Sequence, residues 1–157
     1  MTGDGVVDAG RFVREQRHLT LEAADTVLQA AVAHADDLGV PVVIVVTDAS
    51  GGVTALARLD GASPLSIRHA LGKAASASGL NRSTDEFIDK RLTQDDVLWR
   101  AISGRGDAFV VRGGAALKVD GRSVGAIGVA SARHEHDSAI ADTGVQALES
   151  LIASSSA

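Results

Sequence analysis

The run Val42-Val43-Ile44-Val45-Val46-Thr47 constrains this chain more than any other segment. Consecutive β-branched side chains crowd a helix and suit a pleated strand. A strand with no polar alternation has no face for water, so this one reads as buried on both sides. Its flanks agree. Leu19 to Leu38 carries a helical pattern (Leu21, Ala24, Val27, Leu28, Ala31 and Ala35) with Thr20 as N-cap. Gly39 stands where a C′ glycine ends a helix, and Pro41 forbids its continuation. After the turn Asp48-Ala49-Ser50-Gly51-Gly52, Val53 to Leu59 returns as a second strand, which predicts an antiparallel hairpin.

Ser63-Pro64 predicts the start of a second helix, with serine as N-cap, running to about Ser78 and ending at Gly79. Ser83 or Thr84 caps a third helical stretch over Asp85 to Ile102, with Glu86 placed for a capping box and a break near Thr93. Ala108 to Val111, Ala115 to Val119 and Ser123 to Ala130 read as three further strands, turning at Arg112-Gly113-Gly114 and Asp120-Gly121. A final helix covers about Glu135 to Ile152. The order α-β-β-α-α-β-β-β-α predicts an α/β domain of the α+β kind, with a five-stranded, mainly antiparallel sheet and flanking helices. Strands and helices do not alternate regularly, which excludes a doubly wound parallel fold. Residues 1–17 are expected to form a flexible N-terminal arm, 18–152 the domain, and 153–157 a frayed end.

At 157 residues the chain suits one domain with its own core. Fifteen basic against twenty acidic residues give a net charge of −5, which argues against a nucleic-acid partner. The aromatic residues are only Phe12, Phe87, Trp99 and Phe109, too few for base-stacking platforms. With no cysteine there is no disulfide, thiolate metal site or cysteine nucleophile. Met1 to Arg17 lacks the apolar run of a signal peptide, and no stretch has the roughly 18 apolar residues that span a bilayer. A cytoplasmic chain with no membrane partner is the expectation.

Three groups of residues carry possible chemistry. On the second helix, Ser66, His69, Lys73 and Ser76 fall within about 80° of arc beside an apolar face. His69 and Lys73, four apart, present adjacent donors to an anion, unless the stripe is an ordinary solvated face. Arg58 and Asp60 close the second strand. The arginine can clamp a carboxylate through paired hydrogen bonds, or contact Asp60 structurally. Arg133-His134-Glu135-His136-Asp137 follows a strand and opens a helix, where free N–H groups favour an anion. In an extended segment the two histidines can share a metal. On a helix they point about 200° apart, and the first-turn acids Glu135 and Asp137 place the helix start inside the cluster, so no metal site is expected. Either histidine can act as general acid or base, or the segment is a solvated helix cap. Gly113-Gly114 allows backbone to approach a ligand or makes a hairpin turn, while Gly125 and Gly128 inside a strand mark a bulge or a close approach. Arg105-Gly106-Asp107 reads as a turn.

LTLEAA, LGVPVVIVVTDASGG, ARLDGASPLSI, the Lys73-Ala74 pair, GGAALKVDG and VGAIGVAS occur in that order. Together, over Leu19 to Leu148, they resemble the GlcG/HbpS-like family of haem-binding and presumed haem-degrading proteins, which includes the C-terminal domain of some cobalamin adenosyltransferases. The resemblance implies a profilin-like domain, a ligand pocket, haem binding in some members, and assembly as dimers to octamers. Relatives carry a glycine-rich stretch and then an acid after GAIGV. Here Asp137 matches the acid, while His134 and His136 stand among residues that relatives keep small. They either narrow a haem-sized cavity or install acid–base chemistry.

Two functions follow as expectations. The first is a small-ligand-binding protein whose Arg58, His69 and Lys73 hold the carboxylates of haem or of another anionic ligand. The second is an isomerase, lyase or hydrolase in which His134 or His136 moves a proton, Asp137 orients the imidazole, and Arg58, Lys73 or Arg133 binds an oxyanion. The alanines of the second helix (Ala70, Ala74, Ala75 and Ala77) allow close approach to a second copy of the chain, or to the chain's own sheet. A homo-oligomer is expected.

Overall fold

Helix α1, Leu21–Leu38, starts where Thr20 accepts a hydrogen bond from the Ala23 amide and stops where Gly39 turns left-handed with φ 65°. The computed structural model describes Gly10 and residues 12–104 and 109–155. Readings that fall on residues 1–9, 11, 105–108 and 156–157 lie outside them, including most of the N-terminal arm and the Arg105-Gly106-Asp107 turn. Strands β1 (Val42–Asp48) and β2 (Val53–Arg58) form the expected antiparallel hairpin. Helices α2 (Ser66–Leu80), α3 (Thr84–Lys90) and α4 (Asp96–Ser103) follow, with a 3-10 turn over Leu92–Gln94 at the expected break. Strands β3 (Gly114–Val119) and β4 (Arg122–Ser131) and helix α5 (Asp137–Ser155) complete the domain.

The sheet order is β2-β1-β4-β3, antiparallel throughout. Strand β1 is therefore internal. Val42, Ile44 and Val46 point into the core shared with α1 and α5, against Val27, Ile140 and Leu148. Val43 and Val45 point the other way, toward Ala70 of α2. All five valine and isoleucine side chains are fully buried, which is why the run needs no polar positions. Among the described residues, no helix is long and apolar enough to cross a membrane.

Several expectations need correction. The sheet has four strands among the described residues, not five. Of the predicted strand from Ala108 to Val111, Ala108 lies outside the described residues and Phe109 to Val111 is not strand. The Phe109 amide donates to Ser76 Oγ of α2 at 3.1 Å, and its ring stacks on His69 with centroids 5.2 Å apart. The segment thus packs over a helix rather than on a sheet edge. The helical region before it is split into α3 and α4, so the element order also differs. Ser63 caps a turn, accepting from the Leu65 amide at 3.2 Å, and α2 begins only at Ser66. That helix ends at Asn81, with φ 52°, rather than at Gly79. Ala70, Ala74 and Ala77 are fully buried against the chain's own sheet, so these three alanines do not face a neighbouring copy.

The close approach of α2 to the sheet explains Gly128. A Cβ there would fall on the Ala70 carbonyl and lie 2.7 Å from the Ala74 amide nitrogen, both backbone atoms that cannot swing aside. Gly128→Ala should therefore destabilise by about 3 kcal/mol, at the upper end of ordinary overpacking. Gly79→Ala, where a Cβ meets nothing within 4 Å, should instead stabilise by about 0.4–1 kcal/mol. Urea denaturation of both variants measures the contrast, and equal midpoints would refute the packing argument.

Candidate functional site

Lys73 and Asp137 are the site's foundation. Both side chains are 0% exposed, and Lys73 Nζ donates to Asp137 Oδ2 and to the Val129 carbonyl, each at 2.7 Å. Helix α2 supplies the cation, the first turn of α5 the carboxylate, and β4 the carbonyl. Asp137 Oδ2 also accepts from the Ser131 amide at 3.3 Å and sits 3.3 Å from His134 Nδ1. Asp137 Oδ1 is buried, with no hydrogen-bond partner among the described residues.

Glycine makes room for this pair. At Gly113, with φ +103°, a Cβ would lie 2.7 Å from Asp137 Cβ and 2.9 Å from the Val129 carbonyl oxygen. At Gly114 it would fall on the Lys73 carbonyl. The two glycines thus bring backbone against the ion pair, and are neither a hairpin turn nor free ligand donors. The Gly113 amide donates to Asp85 Oδ2 at 3.1 Å, and the Gly114 amide to the buried Thr84 hydroxyl at 3.0 Å. Arg112 clamps Asp85 at 3.2 Å and Asp89 at 2.5 Å. Its hydrogen bond holds Asp89 below the usual carboxylate range, and Asp89 and then Asp85 hold the guanidinium above its already high ordinary value. Burial, with Asp85 nearby, pushes the Asp142 carboxyl up.

The loop from Ser131 to His136 forms one wall of a cleft of about 520 Å³. Leu38, Val40, Pro41 and Ala62 give it an apolar lining, and Arg133, Glu135 and His136 stand on its rim. Arg133 is exposed, and among the described residues no carboxylate lies within ion-pair distance of it. His136 Nε2 is 3.6 Å from Glu135 Oε1, both side chains being well exposed. This cleft lies within the 300–1,000 Å³ range of small-molecule pockets.

The structure divides the candidates named from sequence. Lys73, His134 and Asp137 form one cluster, with Gly113 and Gly114 packed beside it, and Arg133 and His136 share the cleft. Lys73 is buried and paired with Asp137, so it does not offer a free ammonium beside His69. His69 is half-buried under Phe109. Arg58 donates from Nη1 to the Ala62 carbonyl at 2.9 Å and, with Asp60, lines a second groove of about 510 Å³ that shares Gly39, Val40 and Pro41 with the first. No Arg58–Asp60 ion pair forms among the described residues. His134 precedes α5 and turns to Asp137 while His136 faces Glu135, so the two imidazoles do not converge. Among the described residues, no group of three or more His, Asp or Glu is placed to share a metal ion. Sequence reasoning missed Thr84, Asp85 and the cleft's apolar wall. Thr84 and Asp85 carry only a helix-start signal, and the wall joins residues far apart in the chain.

Comparison with known proteins places this geometry among relatives. The family model described as haem degrading protein, HbpS-like, matches residues 19–146. A crystal structure of a double mutant of HbpS from Streptomyces reticuli superposes with a TM-score of 0.74 at 34% identity, covering 85% of this chain and 89% of that one. A PduOC:haem complex gives a TM-score of 0.73 at 30% identity, covering 83% of this chain and 94% of that one. The corrinoid adenosyltransferase PduO of Salmonella typhimurium (strain LT2) is 32% identical over 122 residues, which are 76% of this chain and 36% of that protein. The chain thus spans about a third of that enzyme's length.

The buried ion pair makes a prediction whatever the cleft binds. Lys73→Met leaves Asp137 charged and uncompensated, and should cost about 3–5 kcal/mol. Adding Asp137→Leu removes the orphan charge and should recover most of that loss. Denaturant midpoints of the single and double variants check this, and a double variant no more stable than the single one would show it wrong.

Proposed function

The chain belongs to the HbpS-like family, and on that premise we propose that it binds haem, or a flat anionic ligand like it, in the cleft beside the Ser131–His136 loop. The observation that carries the reading is the pairing of an apolar wall with an arginine and an imidazole on the same rim, the arginine having no carboxylate within ion-pair distance among the described residues. These groups suit haem. Leu38, Val40, Pro41 and Ala62 remove apolar surface from water at about 25 cal/mol per Å². Arg133, which has no carboxylate partner among the described residues, binds a ligand carboxylate through paired charge-assisted hydrogen bonds. His136 offers an imidazole nitrogen, a common iron ligand. The haem-bound PduOC relative supports the same ligand class. When bound, the group would supply its iron and its visible absorption, and the chain's residues hold and orient it.

Glu135 bears on this directly. An exposed pair such as Glu135–His136 is worth only about 0–1 kcal/mol, so it yields His136 Nε2 readily to a stronger partner. The observations favour no catalytic reading. His134, the imidazole beside an acid, is turned to Asp137 and away from the cleft.

We also infer that the chain works as a homo-oligomer in the cytoplasm. Val53 and Leu56 of β2 are exposed, and α2 covers the other strands but not that one. Closed symmetric assembly is the usual way to bury such a face. Light scattering at micromolar concentration is expected to give at least twice the 16.0 kDa chain mass, and a stable monomer mass rejects the inference.

Titration with haemin should give a Soret shift that saturates at one site per chain. Arg133→Ala should weaken binding about tenfold or more, the scale of one lost hydrogen bond to a charged group. His136→Ala should move the Soret maximum, and Glu135→Gln should tighten binding. A featureless, non-saturating titration of the unaltered chain rejects the ligand class.

A further inference from the structure

We propose that His134 is a positioning residue that fixes the ligand loop by fastening it to the buried Lys73–Asp137 pair. Its backbone is left-handed, with φ 63°, a conformation few residues with a Cβ adopt. Packing does not hold it there, because its side chain is 54% exposed. Hydrogen bonds do. The His134 amide donates to Ser131 Oγ at 3.1 Å, its carbonyl accepts from the Asp137 amide at 3.3 Å, and its Nδ1 lies 3.3 Å from Asp137 Oδ2. A neutral imidazole protonated at Nδ1 donates to that carboxylate.

Asp137 Oδ2 is fixed in turn by Lys73 and by the Ser131 amide. The loop therefore closes on this oxygen, held at its start by the Ser131 amide and at its end by Asp137 itself, and among the described residues His134 is the only loop side chain that reaches it. The same turn, closed across His134 by the Glu135 amide donating to the Arg133 carbonyl at 2.8 Å, sets the direction of Arg133 and of the following His136. Moving His134 out of the left-handed region would rotate both rim residues together. A single imidazole thus couples a core ion pair to the edge of the cleft. The effect on the ligand, though not the fastening itself, rests on the reading of the cleft as a ligand site.

The test separates the two. In the ligand-free chain, His134→Gly retains the left-handed backbone and removes the ring. Amide exchange at His134, Glu135 and Asp137 should rise at least tenfold, with Ile44 and Val129 in the core unchanged. His134→Asn tolerates the same backbone and presents an amide donor, so it should restore part of the protection. With haemin, His134→Gly should weaken binding about tenfold and change the Soret band, and His134→Asn should lie between it and the unaltered chain. Unchanged loop exchange in His134→Gly overturns the fastening. Faster exchange with an unaltered haemin spectrum and affinity overturns the coupling to the ligand. An unaltered chain that fails to bind haemin rejects the ligand reading, and the exchange data then decide His134 by themselves.

Discussion

One ammonium and one carboxylate, both withdrawn from water, decide how the second half of this chain is put together. Taking either charge out of water costs several kcal/mol, and their attraction offsets that only in good geometry with the remaining donors and acceptors engaged. Lys73 engages two of its three N–H groups in short bonds, one to Asp137 and one to the Val129 carbonyl. Asp137 is engaged on one oxygen alone, the other being buried with no partner among the described residues. The pair requires α2, β4 and the start of α5 to meet at one point, and it requires glycine at positions 113 and 114 so that the backbone entering β3 can pass beside it. A misplacement of any of these elements leaves a charge uncompensated. The interaction thus contributes more to specifying the arrangement than to net stability.

The close seating of α2 has the same logic in apolar form. Ala70, Ala74 and Ala77 face Ala126, Gly128 and Ala130, so little side-chain volume lies between helix and sheet. Small residues in contact leave no space for a ligand under the helix. The space opens instead at the ends of the strands, where the turn after α1, the loop after β2 and the loop after β4 come together. That is where the cleft lies. Its rim is carried by a loop, and a loop without strand pairing needs its own fastening, which His134 and Asp137 provide.

Much of the fold was legible because its signals are local. The Thr20 cap, the Gly39 stop, the hairpin, the helix break near Thr93 and the long final helix all follow from side-chain shape or backbone freedom within a few residues. The fifth strand failed because Phe109 to Val111 looks like strand by composition. Its amide and its aromatic ring are satisfied by Ser76 and His69, which no local pattern announces. Ser63-Pro64 marked a turn one step ahead of the helix it seemed to start. The candidate site was legible in its residue types and not in their partners. Lys73 and His69 share a helix face, yet one is fully buried and the other half-covered by a ring from a distant segment.

By itself, the sequence determined most of the helices, the β1–β2 hairpin, that β1 is buried on both faces, and which family the chain belongs to, because these depend on periodicity, on glycine and proline backbone preferences, and on ordered motifs. Only the tertiary structure decided that Lys73 and Asp137 neutralise each other, that Arg58 and Arg133 serve different grooves, and that His134 looks inward while His136 looks to the cleft. The physical reason is range. Propensity acts over a turn of helix or a pleat of strand. Charge pairing and burial act through space between residues as far apart as 73 and 137, whose meeting exists only after the chain has closed around them.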